Sequence, residues 1–206
     1  MIEIIQKFLL LIVLSLALSA RGELSSNYDV NFGFGSIDAK TVVTSTTITG
    51  LLFLDVNYNL FLATCKCTFS LTMQEFVSSS QGSLAFTRFG LGTRYYPFNA
   101  NSYRVIIDNK AEARVWRAAP FVGIEFGTST LSVSKADSLG RFYNSFSNDV
   151  AFRLGNEIPI GAGVILLGHI LGAVSLGGGT GSGGSGTQAS YTSFGVLVGL
   201  RITPND

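Results

Sequence analysis

A two-residue alternation of side-chain character, repeated in seven separate segments, constrains this chain most. In the last segment, the apolar residues Phe194, Val196, Val198, Leu200 and Ile202 alternate with Gly195, Leu197, Gly199 and Arg201, which except for Leu197 are small or charged. Because successive side chains of a β-strand point to opposite faces, this segment predicts a strand with one apolar face and one face of small or charged residues. The same alternation recurs in 28–35, 48–60, 65–73, 85–95, 120–127 and 150–155.

An eighth apolar segment, 160–176, has no readable period because both of its faces are apolar. Gly168 and Gly172 in this segment have the G-x-x-x-G spacing of packed transmembrane helices, so a helix is the alternative. Pro159 and the five glycines from Gly161 to Gly177 weaken a helix. We therefore predict an eighth strand.

The low share of charged residues indicates that something other than water contacts the apolar faces. Only 13% of the residues are charged, about half the share of an ordinary soluble protein. Lipid offers no partner for backbone N–H and C=O groups, so strands cross it only as a sheet without edges. An even number of strands closes as an antiparallel meander. The predicted fold is therefore all-β, a closed eight-stranded antiparallel up-and-down transmembrane β-barrel, with its apolar residues outward and its glycines and charges inward.

The N-terminus has the layout of a secretory signal peptide. Lys7 lies in a short polar start, residues 8–18 are apolar, and Ser19, Ala20 and Gly22 are small. The apolar run is shorter than the roughly 20 residues of a membrane-spanning helix, which disfavours an N-terminal anchor. We predict a removed signal peptide over 1–22 and one barrel domain over 23–206. The net charge of +1 shows no basic excess, so no nucleic-acid partner is expected.

The connections fit an N-terminus in the periplasm. Outer loops are predicted at 38–46, 78–81, 135–144 and 177–188, several of them long and polar, and tight turns at 63–64 and 156–159. The longer inner connection 99–112 either extends the flanking strands or holds a short surface helix. Cys65 and Cys67 share one face of a strand, and we predict no disulfide framework.

The face opposite the apolar one collects charges of both signs. The predicted lumen charge network consists of Asp55, Arg88, Arg94, Glu125, Arg153, Glu157 and Arg201, with Asp29 and Lys66 near its ends. The interior of an eight-stranded barrel is just wide enough for side chains to fill. Unpaired charges would be costly there, so we expect arginine–carboxylate pairs that plug the lumen. A gated, narrow pathway is the alternative.

Three stretches carry a resemblance to a known family: 90–98, 120–127 and 194–202. Their glycine–aromatic alternation, with the strand rhythm of the whole mature chain, resembles the small bacterial outer-membrane β-barrels of the OmpA/OmpX/OmpW superfamily. The resemblance implies a location in the outer membrane of a Gram-negative bacterium, contact with its lipid, and insertion by the barrel-assembly machinery. One departure is Ile202, which stands where such proteins usually end on an aromatic residue.

We find no support for catalysis. His169 is the only histidine and is followed by Ile170 and Leu171, so it lacks the His-x-Ser arrangement of the deacylase type of outer-membrane barrel. One histidine and two cysteines do not make a metal site. We predict no catalytic residue, no cofactor and no metal.

The function predicted is that of a non-enzymatic outer-membrane barrel that contributes to envelope structure or to surface interaction, with an extracellular partner bound through the loops. The alternative, implied by the OmpW resemblance, is a narrow channel or transporter for small or hydrophobic molecules. A soluble ligand-binding barrel is disfavoured because such barrels bury their apolar residues inside.

Overall fold

The computed structural model describes residues 24–40, 45–62, 67–77, 84–98, 103–108, 111–115, 119–133, 143–161, 164–176 and 190–202. The predicted signal peptide, the loops predicted at 78–81 and 177–188 and the turn predicted at 63–64 lie outside these residues.

Eight strands form a closed barrel, as predicted. They are β1 (Leu24–Lys40), β2 (Ser45–Leu62), β3 (Cys67–Val77), β4 (Leu84–Tyr95), β7 (Ala119–Val133), β8 (Tyr143–Gly161), β9 (Val164–Ser175) and β10 (Ser190–Ile202). Their order around the barrel is β1-β10-β9-β8-β7-β4-β3-β2. Each pairs antiparallel with both neighbours, and β1 pairs with β10 from Tyr28–Ile202 to Lys40–Ser190, which closes the sheet.

The predicted alternation sets which residues face out. Val196 is 51% exposed whereas its neighbour Leu197 is fully buried, and Phe34 is 69% exposed on the outer face of β1. Charged residues such as Asp55 and Arg88 are buried inside. This arrangement inverts that of a soluble protein, in which charged side chains are almost never fully buried unless they are paired.

The ambiguous segment 160–176 contains a strand and not a helix. β9 lies between β8 and β10 and pairs with both along its length. Gly168, in the G-x-x-x-G spacing, is on the outer face of this strand, where a Cβ atom would have no neighbour within 4 Å. No helix in the described part of the chain is long and apolar enough to cross a bilayer.

Several predicted connections are shorter than expected because the strands are longer. The turn predicted at 156–159 is wrong, since β8 continues to Gly161 and Asn156 pairs with Gly168. Pro159 is tolerated there because it lies beyond Ala119–Glu157, the last described pair with β7, and next to an irregularity in the β9 pairing. The loop predicted at 38–46 is also too long, because strand structure includes 38–40 and 45–46. Of 135–144, residues 143–144 belong to β8.

The inner connection 99–112 was predicted wrongly. Its described residues, 103–108 and 111–112, neither extend the barrel strands nor form a helix. Instead, β5 (Tyr103–Asp108) and β6 (Ala111–Val115) pair as a separate two-stranded sheet. The β-branched run of Val105, Ile106 and Ile107 favours this extended structure.

One further expectation is corrected. Cys67 is disulfide-bonded, although the sequence predicted no disulfide.

Two apolar clusters lie inside the barrel, one near each end. We call the end at which β1 is joined to β2, and β7 to β8, the loop end, and the opposite end, where β1 begins and β10 finishes, the terminal end. The cluster at the loop end contains Ile37, Phe53, Phe76, Phe86 and Tyr191 among its buried members. Three aromatic pairs run through it, Phe53–Phe76, Phe76–Phe86 and Phe86–Tyr191, with ring centroids 3.7, 4.4 and 5.0 Å apart. The cluster at the terminal end consists of Phe61, Tyr96, Ala119 and Phe121.

Candidate functional site: the charged interior

Between the two apolar clusters, the interior is filled by charged side chains. Nine of them are at most 2% exposed: Asp29, Asp55, Arg88, Arg94, Glu125, Asp149, Arg153, Glu157 and Arg201. The structure places all seven residues of the predicted lumen network in this set. Every one of the nine forms at least one ion pair, and they separate into two networks.

The central network is built around Arg153. Its guanidinium contacts Asp55, with Nη2 2.8 Å from Oδ1, and also pairs with Glu125 through Nε. Arg88 shares Glu125, with Nη1 2.8 Å from Oε2, and reaches Asp149, with Nε 2.6 Å from Oδ1. Two guanidiniums therefore bind three carboxylates, each through charge-assisted hydrogen bonds.

Neutral donors supply the remaining hydrogen bonds of Asp55 in this network. The side-chain amides of Asn31, Asn57 and Gln74 donate to its carboxylate at 2.9, 2.8 and 3.0 Å. A buried carboxylate is tolerated when its oxygens are occupied in this way, because desolvation is then offset by hydrogen bonds as well as by charge. The three amides therefore stabilise the buried Asp55 carboxylate and help to fill the lumen.

The terminal network lies closer to the terminal end and consists of Asp29, Arg94, Glu157, Arg201 and Tyr96. Arg201 Nε is 2.6 Å from Asp29 Oδ1, and its Nη1 is 2.6 Å from Glu157 Oε2. Arg94 Nη1 is 2.7 Å from the other Asp29 oxygen, and Tyr96 donates its hydroxyl to Glu157 at 2.7 Å. Among the described residues, no ion pair joins this network to the central one.

His169 belongs to the central network. Its Nε2 is 2.9 Å from Arg153 Nη1 and 3.8 Å from Asp55 Oδ2. A guanidinium can only donate, so Nε2 acts as the acceptor and carries no proton. A general base needs this lone pair free for a substrate proton, and here Arg153 occupies it. Within the described residues, no group of three or more His, Cys, Asp or Glu side chains is placed to hold a metal ion.

Inward glycines create the space that the long side chains occupy. A Cβ atom on Gly90 would lie 3.0 Å from Arg88 Nη1, and one on Gly127 would lie 2.9 Å from Arg88 Nη2. A Cβ atom on Gly92 would collide with the side chain of Glu125. The glycines on the inner face of the strands therefore leave room for the ion pairs. This explains why glycine and charge share one parity in the sequence.

The predicted lumen network left out several interior residues that the structure places in it, among them Asp149, Tyr191, Tyr96 and Gln74. Asp149 has the parity of Arg153 but lies one position before the strand that was predicted to begin at 150. Tyr191 likewise precedes the segment predicted from 194. It donates its hydroxyl to Asp149 at 2.8 Å. The parity rule would have found both residues had the strands been extended toward the loop end.

Because the two networks are separate, hydroxyl deletions in them are expected to act independently. Tyr96→Phe and Tyr191→Phe each remove one donor to a buried carboxylate and should each lower the free energy of unfolding by about 1–2 kcal/mol. The double variant should show the sum to within about 0.5 kcal/mol. Urea titration of the folded protein in detergent micelles measures both values.

Tyr28→Phe is the matched control, because Tyr28 is 50% exposed on the outer face, and it should change stability by less than about 0.5 kcal/mol. A double variant that departs from the sum by more than about 1 kcal/mol would show that the two networks are coupled.

Comparison with known proteins shows which solved structures have a similar fold. No family model and no curated protein sequence matches the chain. Among solved structures, Neisserial surface protein A is similar with a TM-score of 0.55 at 12% identity, over 85% of this chain and 96% of that one. The N-terminal β-barrel domain of Pseudomonas aeruginosa OprF gives a TM-score of 0.46 at 11% identity, over 86% and 98% of the two chains. At these identities only the fold is shown. It is the fold of small outer-membrane barrels, as the resemblance predicted.

Proposed function

We propose that this chain is a non-enzymatic barrel in the outer membrane of a Gram-negative bacterium, with a plugged interior and a role in envelope structure or surface interaction. The observation that carries the proposal is that side chains fill the interior near both ends and in the middle of the barrel. An apolar cluster lies near each end, and two networks of paired charges lie between them.

The outer surface supports a membrane location. Large apolar side chains cover it, including Phe34 at 69% exposure, Leu91 at 62% and Phe126 at 60%. A soluble monomer rarely exposes a continuous apolar surface of this extent. Lipid is therefore the proposed surrounding, with the barrel-assembly machinery as the partner during insertion.

The interior supports the plugged state over the channel alternative. A water-filled route would have to pass the edge-to-face rings of Phe53, Phe76, Phe86 and Tyr191, which are all at most 3% exposed. Arg153 then occupies the middle of the barrel in contact with Asp55 and Glu125. A barrel with eight strands has no width to spare around such side chains.

The loop end supports a surface role. Above the apolar belt, the outer face of the strands changes to exposed hydroxyl-bearing residues: Thr47, Thr49, Thr128, Thr130 and Thr192. The strands thus continue beyond the apolar belt into a more polar zone. This polar zone supports the proposal that an extracellular partner binds at the loop end.

Single-channel recording tests the plugged state. We expect the refolded chain to be silent in a planar lipid bilayer, because side chains fill the narrow interior of the barrel. Folding is verified beforehand by the shift of the unheated band in gel electrophoresis. Steady conductance that changes in Arg88→Ala or Glu125→Ala would contradict the plug and support the narrow channel.

A further inference from the structure

Three neighbouring residues beside the terminal network have buried polar atoms that form no hydrogen bond within the protein. Arg94, Ser70 and Asn59 are at most 3% exposed. Within the described part of the chain, Arg94 Nε and Nη2, Ser70 Oγ and Asn59 Oδ1 have no hydrogen-bond partner. A buried polar atom without a partner is costly, so four of them in one place indicate a bound molecule.

The strand register places the three residues side by side. Ser70 on β3 is paired with Asn59 on β2. Arg94 on β4 is paired with Thr68, which lies two residues before Ser70 on β3. Arg94 is therefore diagonal to Ser70, a separation that a long side chain spans. On its β4 side Ser70 is paired with Gly92, which has no side chain that could bond its hydroxyl.

The remaining contacts of Arg94 and Asn59 set the direction of the free atoms. Arg94 Nη1 is 2.7 Å from Asp29 Oδ2, and the guanidinium lies over the ring of Phe121, 5.2 Å from its centroid. These contacts hold the guanidinium and leave its Nε–Nη2 edge free, with two parallel N–H groups. Asn59 Nδ2 donates to Asn27 on β1 at 2.9 Å, so its Oδ1 is on the side of the amide toward β3.

The donors and acceptors at this place match a water molecule. The Arg94 edge offers two N–H donors, Asn59 Oδ1 is an acceptor, and the Ser70 hydroxyl both accepts and donates. A buried water typically makes about three hydrogen bonds and needs two to four polar partners. An anion fits less well, because it would face the Asn59 oxygen. It would also add an unpaired charge to a network in which two carboxylates already balance two guanidiniums.

We propose that Arg94, Ser70 and Asn59 form an internal water site between strands β2, β3 and β4. The water accepts hydrogen bonds from Arg94 Nε and Nη2 and donates to Ser70 Oγ and Asn59 Oδ1. Phe61 and Tyr96 follow Asn59 and Arg94 on their strands toward the terminal end and are at most 5% exposed. The water is therefore enclosed, and the site does not open a route through the barrel. It requires only the folded barrel and does not depend on the function proposed above.

A crystal structure of the refolded chain, with crystals grown in sodium bromide, tests the occupant directly. We expect one water peak within about 3.2 Å of Arg94 Nε and Nη2, Ser70 Oγ and Asn59 Oδ1. Bromide scatters anomalously and water does not, so an anomalous peak at this place would overturn the water in favour of an anion. The absence of any peak beside Arg94 would overturn the site itself.

Two replacements of Ser70 by side chains of similar shape test the hydrogen bonds in solution. In S70N the amide takes the place of the water, because its oxygen accepts from Arg94 and its nitrogen donates to Asn59 Oδ1. In S70L the side chain displaces the water and leaves those atoms unpaired, so the folding equilibrium constant should be at least about thirtyfold lower than in S70N. Urea titration in detergent micelles measures both constants. The crystal structure of the unsubstituted chain decides the question if a variant does not fold.

Ser193 provides the matched control. It is 3% exposed, and its hydroxyl has no hydrogen-bond partner among the described residues, but it is paired with the apolar residues Ile37 and Ala173. An amide gains no polar partner from these neighbours, so S193N should be less stable than S193L. Equal stability of S70N and S70L, or lower stability of S70N, would overturn the water site. A preference for asparagine at both positions would contradict it as well, because the preference would then not depend on Arg94 and Asn59.

Discussion

Replacement of Arg153 by methionine is expected to lower the free energy of unfolding by about 3–5 kcal/mol. Among the described residues, its guanidinium is the only cation within salt-bridge distance of Asp55, because His169, 3.8 Å away, accepts a hydrogen bond from Arg153 and is neutral. Arg153 also shares Glu125 with Arg88. Methionine fills similar space but leaves Asp55 buried without its cation, and leaves Glu125 with Arg88 alone. The destabilisation is measured by urea titration of protein folded in detergent micelles or lipid vesicles.

Two further variants isolate the cause. Lys40→Met removes a positive charge that is 65% exposed at the loop end, and it should change stability by less than about 0.5 kcal/mol. Asp55→Asn should cost less in the Arg153→Met background than in the unsubstituted chain, with a coupling of about 1–3 kcal/mol. If Arg153→Met were as stable as the unsubstituted chain, the charges would be solvated and the interior would be wet.

The positions of the network residues follow from local sequence rules. Asp55, Arg88, Glu125 and Arg153 share the parity opposite the apolar belt, and the two-residue period alone assigns them to the interior. Closure of the sheet could be predicted as well, because an apolar outer face implies lipid and lipid forbids open edges.

The pairing of those residues could not be predicted in the same way. Arg153 and Asp55 are 98 positions apart and lie on strands separated by three others in the barrel, so their contact depends on the stagger of the whole sheet. A shift of one pairing by two residues would keep every side chain on its face and would change its partner. Parity assigns a face, whereas the register assigns a partner.

The ends of the strands were the least predictable part. Pro159 and Asn156 have the composition of a turn, yet both belong to β8, because a strand that outlasts one neighbour tolerates a proline on that side. The β5–β6 hairpin was missed for a related reason. Its five- and six-residue strands alternate too briefly to stand out beside barrel strands of 11 to 19 residues.

Gly199→Ala is expected to lower the free energy of unfolding by about 1–3 kcal/mol. Gly199 faces the interior on β10, and a Cβ atom there would collide with Asn31 Oδ1 and with the backbone oxygen of Val30. The backbone oxygen cannot move without disturbing the ladder between β1 and β10. Displacement of Asn31 would also break its hydrogen bond to Asp55. The same urea titration gives the change.

Gly168→Ala is the matched control, and its expected effect has the opposite sign. Gly168 lies on the adjacent strand and pairs with Val198, the residue that precedes Gly199. It faces outward, and a methyl group at this position would have no neighbouring atom within 4 Å. Alanine there restricts the unfolded chain without a clash, so stability should rise by about 0.4–1 kcal/mol. Equal destabilisation by both substitutions would mean that glycine is needed in the strands for backbone reasons alone. Opposite signs would show that glycine is needed at this interior position because neighbouring side-chain and backbone atoms occupy the space of a methyl group.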